Sequence, residues 1–121
     1  MRGILLFLFR KKFYMLHYMM WDYIARQLEK AKPDDLLKPF YIDNLKKSFI
    51  DANSKGQKIV FLCYLCALHD VKCTDCPLYK KYGNMCASSF SYYRLVKNTD
   101  CSKKQRIEAA RKIRDCVGGE I

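Results

Sequence analysis

Five of the seven cysteines in this 121-residue chain crowd one stretch. Cys63 and Cys66 form one C-x-x-C pair, Cys73 and Cys76 form a second, and Cys86 follows. At that spacing two thiolates can reach one ion while the backbone curls beneath it, and two such pairs complete a closed tetrahedral zinc site. Cysteine also packs readily as a small hydrophobe. That accounts for Cys101 and Cys116, but not for two paired spacings beside a fifth thiol. The simplest ligand set is Cys63, Cys66, Cys73 and Cys76. The six-residue gap between the pairs is short for a ribbon whose two knuckles come from separate hairpins, so Cys86 and His69 stand as alternates. Four thiolates leave no open coordination position, which makes such a zinc structural and not hydrolytic. An iron–sulfur cluster is the alternative cofactor. Cys76-Pro77 matches the end of the bacterial ferredoxin run, although the other spacings do not.

Catalysis finds little support. The only histidines are His17 and His69, and no Gly-rich phosphate loop, H-E-x-x-H or nucleophile elbow is present. The H-x-E and P-C-x-x-C combination of the zinc deaminases is missing too. The reading is a non-enzyme with no small-molecule substrate.

The formal net charge of +11 favours a polyanionic partner, nucleic acid before membrane. From Arg94 to Arg114 eight Lys or Arg residues face only Asp100 and Glu108. Upstream, Tyr79-Lys80-Lys81-Tyr82 and Tyr92-Tyr93-Arg94 interleave aromatics with cations, a mixture suited to stacking on single strands. The candidate nucleic-acid contacts are Lys80, Lys81, Tyr82, Tyr93, Arg94, Lys104, Arg111 and Lys112. The competing reading has the tyrosines covering the metal loop over a merely solvated basic face. A host protein met through the aromatic loop is the other candidate partner. Oligomeric state is not legible.

These residues need elements to position them, and the pattern is mainly α-helical. Trp21, Ile24, Ala25, Leu28 and Ala31 fall on one stripe between Met20 and Lys32, with Trp21 as a core anchor and Pro33 as the stop. A second helix starts near Pro39, carries Ile42, Leu45, Phe49 and Ala52 inward, and closes at Gly56; Leu36 and Leu37 pack beneath it. The apolar stretch Ile59 to Leu68 fits a buried strand or a helix, its length favouring helix, on which Cys63 and Cys66 lie one turn apart. From Asp70 to Tyr93 the chain turns irregular around Pro77 and Gly83, a loop that metal must clip. The last helix opens on a Ser102–Gln105 capping box and carries Ile107, Ala110, Ile113 and Val117 on its apolar stripe.

The fold expected is therefore a small single-domain helical protein over residues 19–121, with an irregular cysteine-rich, metal-clipped loop. Residues 1–18 are expected to be a leader, disordered or an upstream extension of the reading frame, with a membrane-surface helix or a helix packed on the core as the alternatives. Its apolar run, Ile4 to Phe9, is too short to span a membrane or to serve as a signal peptide. A chain begun at Met19 or Met20 is expected to keep its stability. The odd cysteine count and the lack of a secretory signal favour a reducing, cytoplasmic compartment.

Taken together, the Trp-containing first helix, C-x-x-C, C-x-x-C-P-L, a later Cys followed by an aromatic, and an Ala-containing last helix resemble a group of small cysteine-rich proteins of tailed bacteriophages and prophages. The matching residues are Trp21, Cys63, Cys66, Cys73, Cys76, Pro77, Leu78, Cys86, Tyr92 or Tyr93, and Ile107 to Val117. The resemblance covers roughly residues 20–117. It implies a phage protein made in the bacterial host cytoplasm, with metal ligation by the cysteines and nothing catalytic.

Overall fold

Between Gly3 and Pro33 the sequence offers the backbone no glycine or proline, and the chain answers with one long helix. α1 runs Arg2–Lys30, 29 residues and about 43 Å of axis. Its buried side chains are Phe13, Tyr14, Leu16, His17, Met20, Trp21, Ile24, Ala25 and Leu28, a stripe at three- and four-residue steps. The computed structural model describes residues 2–53, 64–65, 76–83 and 91–119, with residues 2–9 as backbone only.

The start of α1 differs from the expectation of a helix beginning near Met20. The helix passes position 18 without a break, and Phe13, Tyr14 and His17 are buried at 4%, 4% and 1% exposure. Sequence patterning missed them because His17 and the exposed Met15 and Met19 blur the apolar stripe.

Pro33 begins a single helical turn, α2 (Pro33–Leu36), whose Asp35 carboxylate accepts from the Lys32 N–H at 3.3 Å. Leu36 packs on the core as expected, whereas Leu37 is exposed. α3 spans Tyr41–Asn53 and turns Ile42, Lys46 and Ile50 inward, with Leu45 and Phe49 at the margin. Ala52, expected on that stripe, is exposed. Tyr64 and Leu65 are helical and completely buried; Phe13 and Phe49 meet the Tyr64 ring edge-on at 5.8 and 6.3 Å.

The stretch read as irregular holds a helix and the start of another. α4 (Pro77–Tyr82) begins on Pro77, whose preset φ suits a first helical turn, and ends at Gly83 in the left-handed region, φ 77°. The two residues read as breakers are its boundaries. α5 (Tyr92–Lys97) is capped by Ser91, whose Oγ accepts from the Arg94 N–H at 3.1 Å. α6 spans Lys103–Asp115 and opens on the expected capping box: Ser102 Oγ accepts from the Gln105 N–H at 3.1 Å, and Gln105 Oε1 from the Ser102 N–H at 3.0 Å.

The described residues thus form six helices and no strand. α6 packs chiefly against α1 and α5, and α3 lies against α1 and α5. Ala109, Ala110 and Ile113 let α6 approach α1 closely, and Cys116 and Val117 continue the buried face beyond it.

Helix C-termini leave carbonyls without intrahelical partners, and here side chains distant in sequence donate to carbonyls near those ends. Lys103 Nζ donates to the Ala31 carbonyl after α1 at 3.2 Å. Arg106, 1% exposed, donates from Nε to the Val96 carbonyl and from an Nη to the Leu36 carbonyl, both at 2.8 Å, so one guanidinium joins the ends of α2 and α5. His17 Nε2 donates to the Ile113 carbonyl at 2.8 Å. Among the described residues no helix is long and apolar enough to cross a membrane.

Candidate nucleic-acid interface

The outward face of α6 follows from its period. With Arg106, Ala109, Ala110 and Ile113 turned inward, Lys104, Arg111 and Lys112 are exposed. Arg111 pairs with Glu29 on α1. The short α4 lies on the C-terminal end of this helix: Tyr82 Oη donates to the Lys112 carbonyl at 3.0 Å, and Lys81 Nζ reaches the Asp115 carbonyl at 3.5 Å. Leu78, 5% exposed, fixes the other end of α4 in the core. The exposed Lys81 is thereby brought beside the Lys112 turn, while Lys80 is exposed on α4 and Arg94 on α5.

Much of the charge in Arg94–Arg114 is spent internally. Arg106 is buried, and Lys103 caps α1. Lys97 pairs with Asp43 at 3.1 Å. Arg114 bridges Asp115 and Asp22, each at 2.8 Å, and those carboxylates hold its guanidinium above the usual arginine range. Arg106 is shifted the other way, downward, because burial penalises its charge. Arg94, Lys104 and Lys112 are the cations of this segment whose side chains make neither an ion pair nor a hydrogen bond among the described residues.

The tyrosines nominated for base contact are engaged in packing. Tyr82 meets Tyr92 edge-on at 4.8 Å, and burial pushes its hydroxyl pKa upward. Tyr93 stands edge-on to Trp21 at 6.1 Å, and its hydroxyl accepts from Lys46 Nζ at 2.8 Å. Two ammonium groups approach its ring, Lys46 at 4.5 Å and Lys97 at 5.3 Å.

Lys46, only 1% exposed, is one of three buried polar residues whose roles sequence reasoning missed. It sits midway between Ile42 and Ile50 at four-residue steps, as Arg106 sits four before Ala110 and His17 four before Trp21. Period alone could have placed all three inward; nothing in it identifies their partners. His17 carries a well-defined tautomer, because the Ile113 carbonyl can only accept and Nε2 must hold the proton. Its Nδ1 and the Trp21 Nε1 are buried with no hydrogen-bond partner among the described residues. Burial, reinforced by the charge of Lys46 and opposed by the Ile113 bond, lowers the His17 pKa from 6.5 to about 4.

Of the expected metal ligands, Cys76 is described. It is half-buried against the core as the N-cap of α4, followed by the buried Pro77 and Leu78. Cys63, Cys66, Cys73, Cys86 and His69 lie outside the described residues. Tyr64 and Leu65, between the first pair, are anchored in the core. Among the described residues no three His, Cys, Asp or Glu side chains gather as a metal site. Cys116 packs in the core with Sγ 3.5 Å from His17 Nε2, and Cys101 is half-buried. Comparison with family models, curated proteins and solved structures returns no match.

Proposed function

We propose that the chain is a non-catalytic accessory protein of the phage type, with a structural zinc held by its cysteine pairs and a nucleic-acid contact on the α4–α6 face. The observation that carries the contact is the placement of Lys81 beside the exposed Lys112 turn by the Tyr82 and Lys81 bonds to α6, with Lys80 exposed on the same short helix. Rigidly held, unpaired cations gain more from phosphates than the same charges on flexible chain, and they release counterions on binding.

For the metal, Cys63, Cys66, Cys73 and Cys76 would supply the thiolates, with Cys86 and His69 as alternates. The half-buried Cys76, at a helix start pinned by Pro77 and Leu78, suits a closed structural site. A bound zinc would tie the start of α4, and so its lysines, to the rest of the clip.

The test is retention on nucleic acid across a salt series. The Lys104→Gln, Arg111→Gln, Lys112→Gln triple variant should bind more weakly with a flatter salt dependence, while its folding barely changes. Unchanged affinity would return the face to simple solvation. A second reading, a host-protein adaptor, draws on Leu37 and Phe40, each 66% exposed around the α2–α3 turn. Salt-insensitive capture of a protein, lost on Phe40→Ser, would favour it.

A further inference from the structure

Resting on the nucleic-acid reading above, we infer that the α4–α6 face takes the phosphate backbone of a duplex and not the splayed bases of a single strand. Single-strand binders offer open aromatic faces between their cations, on which successive bases stack. The aromatic–cation interleaving in this sequence looks like such a platform, but the fold has used it. Tyr82 is tied by its hydroxyl to the Lys112 carbonyl and by its ring to Tyr92. Tyr93 is packed on Trp21 and accepts from the buried Lys46.

Turning Tyr93 outward to meet a base would strip a buried ammonium of that hydrogen bond. That loss offsets what a stacked base returns. Freeing Tyr82 would likewise release the end of α4 and the lysines beside it. Base stacking therefore opposes the cation array at Tyr82 and the core packing at Tyr93.

What these helices keep is point charge: Lys80 and Lys81 on α4, Lys104 and Lys112 on α6, with Arg111 in its pair with Glu29. Lysine ammonium groups meet phosphate without a directional base code. From Lys104 to Lys112 the helix advances about 12 Å. A duplex presents on the order of seven charges over that distance, twice the axial density of one of its strands, so the same lysines displace more condensed counterion from it. Tyr79, half-buried on α4, is the remaining tyrosine of that helix and supplies the internal control.

The experiment uses the full chain and three labelled probes of equal length: a DNA duplex, one of its strands, and an abasic deoxyribose-phosphate strand. Binding is measured across a salt series. At matched salt the duplex should bind at least several-fold more tightly than the strand, and the abasic strand about as well as the base-bearing one. Tyr79→Ala should leave all three affinities unchanged. Lys80→Gln, Lys81→Gln, Lys104→Gln and Lys112→Gln together should reduce the duplex log–log salt slope by about 3 to 4. Tighter binding to the strand, an abasic strand weaker by about tenfold, or loss of binding in Tyr79→Ala would overturn the inference while leaving nucleic-acid binding in place. No binding to any probe at low salt would overturn the nucleic-acid reading itself, and this inference with it.

Discussion

Lowering the pH below neutrality should loosen the protein through His17. The ring is enclosed by α1 and α6, donates Nε2–H to the Ile113 carbonyl, and has a pKa of about 4 against 6.5 in an open chain. Because the folded value is the lower one, the unfolded chain binds the proton first. Stability from this group is complete above pH 6.5, declines as pH falls, and is exhausted near pH 4. The shift from 6.5 to about 4 corresponds to about 3 kcal/mol, of which about 2 is already lost at pH 5. Urea unfolding of the wild type and of His17→Gln between pH 7 and pH 4 isolates the effect, since glutamine keeps an N–H for the carbonyl but does not titrate. The difference between the two stabilities should shrink by about 3 kcal/mol over that range. NMR titration of the His17 ring should find its midpoint near 4. Parallel stability curves for the two proteins, or a midpoint near 6.5, would refute the burial argument.

Three further outcomes follow from the packing. Arg106→Met should cost about 3 kcal/mol in denaturant unfolding, because two charged hydrogen bonds to the Val96 and Leu36 carbonyls are lost together; a cost below about 1 would show that water replaces them. Beginning the chain at Met19 removes the buried Phe13, Tyr14, Leu16 and His17, a loss of several kcal/mol and comparable to the whole stability of a small domain, so the melting temperature should fall steeply. Elemental analysis of protein purified under reducing conditions should find about one zinc per chain, bound with on the order of 10 kcal/mol. Cys73→Ser and Cys76→Ser should lose it and Cys101→Ser and Cys116→Ser should retain it; folded protein with neither zinc nor iron would remove the metal from the proposal.

The helical class, the Ser102–Gln105 cap, and the inward positions of Trp21, Ile42 and Ile113 were legible in the sequence, because local period and capping chemistry depend on neighbours within a turn or two. The cysteine spacings are equally plain as a pattern, while the geometry of four of the five lies outside the described residues. Tertiary structure decided how the charge is used. In sequence, Arg106 and Lys104 are two cations of one basic run; in the fold, Arg106 joins two helix ends and Lys104 faces outward. Pro77 and Gly83 read equally as loop breakers or helix boundaries until Leu78 has a core to enter and Tyr82 a carbonyl to meet. His17 and Lys46 depend on contacts across 96 and 47 positions of chain. A buried polar group is stable only where such a distant partner arrives, and local sequence carries no record of which partner that is.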